Sequence, residues 1–98
     1  MTAAGADRIS LLVRIEGRVQ GVWFRGWTVE QARLRGLDGW VRNRSDGTVE
    51  ALFSGLRDKV DEMVAACHGG PPAALVRTVR AEPFPPPDQV GFRHLPTA

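Results

Sequence analysis

The stretch GRVQGVWFR, residues 17–25, decides the fold because it joins a predicted strand to a predicted helix. Before it, apolar residues alternate with other residues from Ile9 to Ile15, the period of a strand with one buried face. After it, we predict a helix from about Trp23 to Arg35 that stops near Gly36. The broad apolar face predicted for this helix contains Phe24, Trp27, Thr28, Ala32 and Leu34.

The glycine-bracketed turn between strand and helix directs several backbone N–H groups towards one point, which favours an anion site, above all for a phosphate. Arg25 stands at the end of the turn, where its guanidinium could fork onto the same anion. The turn lacks the lysine and hydroxyl residue of a Walker A loop and the third glycine of a dinucleotide fingerprint. On the residues alone a simpler interpretation stays open, in which Gly17 and Gly21 only permit a tight turn.

Two further strand-like runs, residues 37–44 and 48–54, flank Ser45-Asp46-Gly47, whose Asp-Gly pair indicates a hairpin. A second helix follows, with Ser54 as its predicted N-cap and a Gly-Gly-Pro-Pro sequence at residues 69–72 as its stop. Its apolar stripe contains Leu56, Val60, Met63, Val64 and Cys67.

The last third of the chain predicts a strand from Ala74 to Glu82, a proline loop from Pro83 to Pro87 and a short edge strand within residues 90–95. The first of these should contain a bulge or a change of face, because Val76 and Val79 are three residues apart. The order is that of an α+β, ferredoxin-like split βαβ sandwich, an antiparallel sheet with two helices on one face. We predict one domain over residues 9–98, after a flexible N-terminal segment over residues 1–8.

The composition indicates in which compartment the protein works and which partners it lacks. The one cysteine, Cys67, cannot form an internal disulfide, and the chain has neither a signal-like apolar core near its start nor an apolar run of ~20 residues. We therefore expect a cytoplasmic protein that does not bind membranes. The net charge is +2 and the twelve arginines are scattered, so no nucleic-acid partner is indicated. An RNA-binding sheet would need exposed aromatics on its central strands, and the residues around Val13 and Ala51 supply none.

A second candidate segment, residues 39–50, contains Asn43. This asparagine lies near the end of a predicted strand, although asparagine is unfavourable in strands. One interpretation is that it starts the hairpin turn. The other is that its amide faces a site, where it would accept a hydrogen bond from a water and hold that water in line with a phosphorus atom.

Together the two segments resemble the acylphosphatase family. Its first signature, aliphatic-x-Gly-x-Val-Gln-Gly-Val-x-Phe-Arg, is complete from Ile15 to Arg25. Its second, Gly-aromatic-Val-basic-Asn-x-x-x-Gly-x-Val-x5-Gly, is complete from Gly39 to Gly55. The looser third segment is similar to Gly70-Pro71-Pro72 and the residues that follow it. Trp23 occupies a variable position, where it would narrow the mouth of the site.

The resemblance implies hydrolysis of the carboxyl–phosphate anhydride of small acyl phosphates, without a metal or an organic cofactor. It places the family's essential arginine at Arg25 and its water-positioning asparagine at Asn43. It assigns the phosphate cradle to the backbone of Gly17, Arg18, Val19, Gln20, Gly21 and Val22. The partner implied is a small acyl phosphate or inorganic phosphate, and we expect a monomer. A phosphate- or carbamoyl-phosphate-sensing module that binds but turns over little is the alternative function.

The only carboxylates near the motif cores, and so the only candidates for a protein proton acceptor, are Glu16, Asp46 and Glu50. We interpret Asp46 as a turn residue and the two glutamates as solvated strand positions, and expect a phosphate oxygen of the substrate to take the proton. The two histidines, His68 and His94, have no partner at metal-ligand spacing, so we predict no metal site.

Overall fold

A computed structural model describes residues 7–98 of the chain. The elements in chain order are β1 (Arg8–Arg18), α1 (Phe24–Leu34), β2 (Asp38–Asn43), β3 (Val49–Leu56), α2 (Arg57–Cys67), β4 (Leu75–Pro83) and β5 (Phe92–His94). The predicted α+β, ferredoxin-like order is confirmed. Most of the predicted N-terminal segment, residues 1–6, lies outside the described residues, and β1 already begins at Arg8. Neither helix within residues 7–98 has the length and apolar character needed to cross a bilayer.

The five strands form one sheet in the order β4-β1-β3-β2-β5. β3 lies between β1 and β2, so α1 connects two strands that are not hydrogen-bonded neighbours, which is the split βαβ arrangement. The pairs β1–β3, β1–β4 and β2–β3 are antiparallel as predicted. The short edge strand β5 is the exception, because it returns after the proline loop and pairs with β2 in parallel.

The core lies between the sheet and the two helices. Val13, Ala51 and Val41 are aligned across β1, β3 and β2, and all three are fully buried. From the helices, the buried residues are Phe24, Thr28, Ala32, Val60, Met63 and Cys67, so the helical stripes are largely confirmed. Leu56, predicted to begin the second stripe, is instead the last residue of β3 and is 41% exposed. The rings of Phe53 and Phe92 stack with their centroids 5.6 Å apart, which fastens β5 to the core.

Three further local predictions were wrong. Leu34 is 79% exposed, because it stands two residues after the buried Ala32 and therefore on the opposite side of the helix. Ser54 does not cap α2, since β3 continues to Leu56 and the Ser54 hydroxyl accepts a hydrogen bond from the Ser10 hydroxyl at 2.7 Å. Pro83 belongs to β4 and not to the loop, which an edge strand tolerates because one side of it needs no donor.

The predicted bulge in β4 is confirmed and lies next to the glycine-bracketed turn that follows β1. Glu16 pairs with Thr78 and Gly17 with Val76, so Arg77 is the extra residue of β4. The bulge lies opposite the end of β1, close to where the loop of residues 19–23 begins, and a bulge of this kind bends the strand that contains it.

Candidate active site

Two glycines shape the loop between β1 and α1 for different reasons. Gly17 has a φ of 131°, and a Cβ atom there would lie 2.2 Å from the carbonyl oxygen of Leu75 on β4. Gly21 has a φ of 73° in open space, so it is needed for its conformation and not for close approach. The loop therefore leaves β1 against β4 and turns sharply at Gly21.

The N-terminus of α1 is left open to an anion. Trp23 precedes the helix with a φ of 67° and provides no side-chain cap, and the first turn contains no acidic residue. Within residues 7–98, the N–H groups of residues 19–22 donate to no backbone carbonyl. Unpaired N–H groups and the positive end of the helix dipole together favour a bound anion.

Trp23 forms one wall of the site. Its side chain is 58% exposed, and its indole lies so close to Gly26 that a Cβ atom on that glycine would overlap the ring. Gly26 thus provides room for the indole on the first turn of α1. Trp27, by contrast, packs edge-on against Phe24 at 5.3 Å, on the core side of the helix.

A cleft of about 240 Å³ brings the two sequence motifs together. Arg25 from the first motif and Asn43 from the second both line it. The full lining is Val19, Gly21, Trp23, Phe24, Arg25, Gly26, Asn43 and His94. It includes two basic side chains and no carboxylate, so the electrostatics of the cleft favour an anion.

Asn43 is the last residue of β2 and is 9% exposed. Its Oδ1 atom is buried and has no hydrogen-bond donor within the described residues. Leaving such an acceptor without a donor costs about 1–3 kcal/mol. The cost is explained if the acceptor serves a ligand or a water in the cleft.

The hairpin after Asn43 is stabilised by a different residue. The carboxylate of Asp46 accepts hydrogen bonds from the Thr48 hydroxyl at 2.7 Å and from the Thr48 N–H at 3.0 Å. These bonds lower the pKa of Asp46 from its usual value. The interpretation that Asn43 serves as the turn residue is therefore unnecessary, whereas the turn role predicted for Asp46 is confirmed.

The side chain of Gln20 connects the loop to this hairpin. Its Nε2 atom donates to the carbonyl oxygens of Arg44 at 2.8 Å and Thr48 at 2.9 Å. Those two residues begin and end the β2–β3 connection, and Arg44 directly follows Asn43. The sequence prediction gave Gln20 only a backbone role and missed this contact.

The two glutamates lie on the helix-free face of the sheet and not in the cleft. The prediction that Glu50 is solvated was wrong, because its side chain is 8% exposed and pairs with Arg42 at 2.8 Å and Arg14 at 3.3 Å. The Arg42 guanidinium also lies 4.8 Å from the ring centre of Trp40, which places Trp40 on the same face. Glu16 is partly exposed and pairs with two arginines of β4.

Among the residues predicted to cradle phosphate, Val19 and Gly21 line the cleft, while Gly17, Arg18, Gln20 and Val22 do not. Gly17 and Arg18 form the end of β1 instead. The sequence prediction also missed His94, whose side chain lines the cleft from β5. A usable signal was the alternation of Phe92 and His94, which puts both on one face of the strand.

A larger cavity, of about 440 Å³, lies at the other end of α1 between Arg33 and Phe92. Gly39 and Asn43 of the second motif do not line it, and neither does any residue of the first motif. Size alone therefore does not identify the functional site, and the cleft that joins Arg25 to Asn43 is the better candidate.

The fold and this cleft define an α+β domain in which an open helix N-terminus, Arg25 and Asn43 meet in one cleft. The chain matches the acylphosphatase family over residues 11–94. It is 60% identical to the acylphosphatase of Rhodospirillum rubrum over 88 residues, covering 90% of this chain and 97% of that protein. It is 53% identical to the acylphosphatase of Rhizorhabdus wittichii, covering 93% of this chain and 92% of that protein.

A solved acylphosphatase structure from Coxiella burnetii superimposes with a TM-score of 0.87 at 35% identity, covering 91% of this chain and 94% of that one. The chain therefore belongs to the acylphosphatase family. It is a hydrolase that acts on acyl phosphates, in agreement with the prediction from its two motifs.

Proposed function

We propose that the cleft hydrolyses small acyl phosphates with three groups in distinct roles. The backbone N–H groups of residues 19–22, in the loop that Gly17 and Gly21 shape, hold the phosphoryl oxygens. Arg25 neutralises their charge, and Asn43 positions the attacking water. The observation that carries this proposal is the buried Oδ1 of Asn43. This acceptor has no donor among residues 7–98 and lies in the same cleft as Arg25.

The phosphoryl group fits the N-terminal end of α1. The N–H groups of residues 19–22 donate to no carbonyl within the described chain, and the first turn of the helix has no acid that would compete with the ligand. A guanidinium adds a planar pair of donors to such a cradle. Fixed N–H donors and a guanidinium stabilise charge on the equatorial oxygens without any proton transfer.

The water would donate one O–H to Oδ1 of Asn43, because an amide oxygen accepts hydrogen bonds but is not a base near neutral pH. Its oxygen attacks phosphorus as the bond to the acyl oxygen breaks, and the electron pair leaves with the carboxylate. The products are the carboxylate and inorganic phosphate. Positioning supplies most of what this reaction needs, since a carboxylate is already a good leaving group.

The proton of the water is taken, in this proposal, by an oxygen of the phosphoryl group. No carboxylate lines the cleft, and the three near the motifs are engaged elsewhere. Glu50 and Glu16 are in ion pairs on the other face of the sheet, and Asp46 accepts from Thr48.

The test is hydrolysis of benzoyl phosphate by the purified chain, with a chelator present. We expect turnover that the chelator does not reduce and that inorganic phosphate inhibits competitively. Loss of turnover on adding chelator would contradict the metal-free mechanism. A protein that binds phosphate at the loop but does not hydrolyse benzoyl phosphate would be the sensing module instead.

We also propose that the protein acts as a cytoplasmic monomer, without a nucleic-acid or membrane partner, and that residues 9–98 form its one domain. Its lone cysteine is buried in the core, in keeping with a reducing compartment. Light scattering during size-exclusion chromatography tests the first part: a mass near 10.7 kDa is expected, and twice that mass would contradict it.

A further inference from the structure

We propose that His94 is a further anion-binding residue of the cleft, whose protonated imidazole contacts the bound phosphoryl group or product phosphate. This inference rests on the proposed function of the same cleft. It assigns a role to a side chain that neither sequence motif contains. Its consequence is that the affinity of the cleft for phosphate-like anions increases as the pH falls.

The position of His94 is fixed by both neighbours of its strand. On β2, the carbonyl oxygen of Val41 accepts a hydrogen bond at 2.9 Å from the N–H of Leu95, the residue immediately after His94. From α1, the guanidinium of Arg33 donates twice to the carbonyl oxygen of Phe92, at 3.0 and 3.2 Å. These bonds hold a strand of only three residues in register.

The same register directs the imidazole towards the cleft. Phe92 packs into the core on the helix side of the sheet, and His94, two residues later, shares that side. His94 is paired with Val41, two residues before Asn43 on the neighbouring strand. The imidazole therefore lines the cleft beside Asn43, while Arg25 lines it from α1.

The charges around the imidazole leave it available to an anion. α1 contributes Arg25 in the cleft and Arg33, whose guanidinium is bound to Phe92. β2 contributes Asp38, which accepts from the Gly91 N–H, and Arg42, which pairs with Glu50 on the other face. No carboxylate lines the cleft, so a protonated His94 has no acidic partner among the lining residues.

Protonation changes what the imidazole offers. The neutral ring has one N–H donor, whereas the cation has two donors and a positive charge. Histidine is the side chain that ordinarily makes this change between about pH 5 and pH 8. The second histidine, His68, follows the C-terminal end of α2 and does not line the cleft, so it is a matched control.

The experiment measures the dissociation constant of sulfate at about pH 5 and about pH 8, the range over which histidine titrates. Sulfate is the probe because it stays a dianion over this range, whereas phosphate changes its own charge. Amide shifts of the loop, followed by NMR, report binding directly. The proteins compared are the native chain, His94→Gln, His94→Lys and His68→Gln.

We expect sulfate to bind the native chain and His68→Gln about fivefold more tightly at the lower pH, the scale of a partly exposed ion pair. His94→Gln should show almost none of this change, and His94→Lys should bind tightly at both pH values. A native affinity that does not change with pH, or a pH effect that survives in His94→Gln, would overturn the inference.

Turnover of benzoyl phosphate, measured on the same samples, separates the two proposals. Turnover together with a pH-independent sulfate affinity overturns the role of His94 and leaves the proposed function standing. Absence of both turnover and sulfate binding at the loop overturns the proposed function, and the role of His94 with it.

Discussion

The side-chain amide of Gln20 donates to the backbone carbonyl of Arg44 at 2.8 Å, and this bond joins the two halves of the site. Gln20 belongs to the loop that precedes α1, while Arg44 follows Asn43 at the end of β2. A second bond from the same nitrogen reaches Thr48 at 2.9 Å. The distance between the loop that precedes α1 and the Asn43 amide is therefore set by a side chain and not only by the sheet.

Replacing Gln20 with alanine should lower both stability and activity. The loss of two hydrogen bonds should reduce the free energy of unfolding by about 1–3 kcal/mol. Because the loop would no longer be tied to the hairpin, kcat/KM should fall by about 10- to 100-fold. Urea unfolding and benzoyl phosphate turnover measure the two effects. The control is Gln31→Ala, which removes a contact to Arg35 at the other end of α1. Equal activity in the two variants would contradict a role for the Gln20 hydrogen bonds in activity.

The backbone at Trp23 provides a test of strain. Because its φ of 67° is unfavourable for any residue with a Cβ atom, Trp23→Gly should be about 1 kcal/mol more stable than Trp23→Ala. Both variants lose the indole, so the difference isolates the backbone. At the exposed helical position Ala65, the order should be reversed, with Ala65→Gly less stable than the native chain by about 1 kcal/mol. Urea unfolding at one temperature measures all three, and Trp23→Ala matching Trp23→Gly would exclude strain.

Neutralising the carboxylates near the motifs should leave turnover within about tenfold of the native rate, because a substrate oxygen takes the proton. The variants are Glu16→Gln, Asp46→Asn and Glu50→Gln. Glu50→Gln should be the least stable, since Arg14 and Arg42 lose a buried partner. Turnover is measured where circular dichroism shows the variant fully folded. A collapse of turnover in a folded variant would identify a protein base.

The buried thiol of Cys67 predicts a pH effect at the alkaline end. Burial raises the pKa of this thiol from 9.0 to about 12. Above about pH 9 the unfolded chain releases the thiol proton while the folded chain retains it, so stability falls by about 1.4 kcal/mol per pH unit up to about pH 12.

The composition makes this effect measurable. The chain contains no tyrosine and only one lysine, so few other groups titrate between about pH 9 and pH 12. Urea unfolding over this range should show the slope in the native chain and not in Cys67→Ala, which is less stable overall because of the cavity it leaves. Equal slopes in the two proteins would contradict the assignment to Cys67.

The sequence predicted the layer arrangement because its hydrophobic periods are strong. Ile9 to Ile15 alternates cleanly, and Val60, Met63 and Cys67 follow a helical stripe, so both elements were found. Element ends were less predictable. Ser54 resembles an N-cap, but its hydroxyl bonds to Ser10, a residue 44 positions away that no local pattern reveals.

The site was predicted in part for the same reason. Arg25 and Asn43 stand in motifs long enough to be recognised, and the fold brings both to one cleft. His94 and the side chain of Gln20 were missed, because their roles depend on which strands become neighbours. β5 pairs with β2 in parallel only after the chain has crossed the sheet, and no local pattern contains that register. The burial of Glu50 was missed for the same reason, since Arg14 of β1, which pairs with it, is 36 residues away in the sequence.

The most direct test of the central claim is to measure kcat and phosphate affinity together in Arg25→Ala and Asn43→Ala. The control is Arg18→Ala, at the last residue of β1, whose side chain does not line the cleft. Arg25→Ala should weaken phosphate binding by about 2–5 kcal/mol, since it removes a charged contact to the anion. Asn43→Ala should lower kcat by about 10²–10³ and change phosphate affinity little. Loss of phosphate binding in Asn43→Ala, with binding intact in Arg25→Ala, would contradict the roles assigned here.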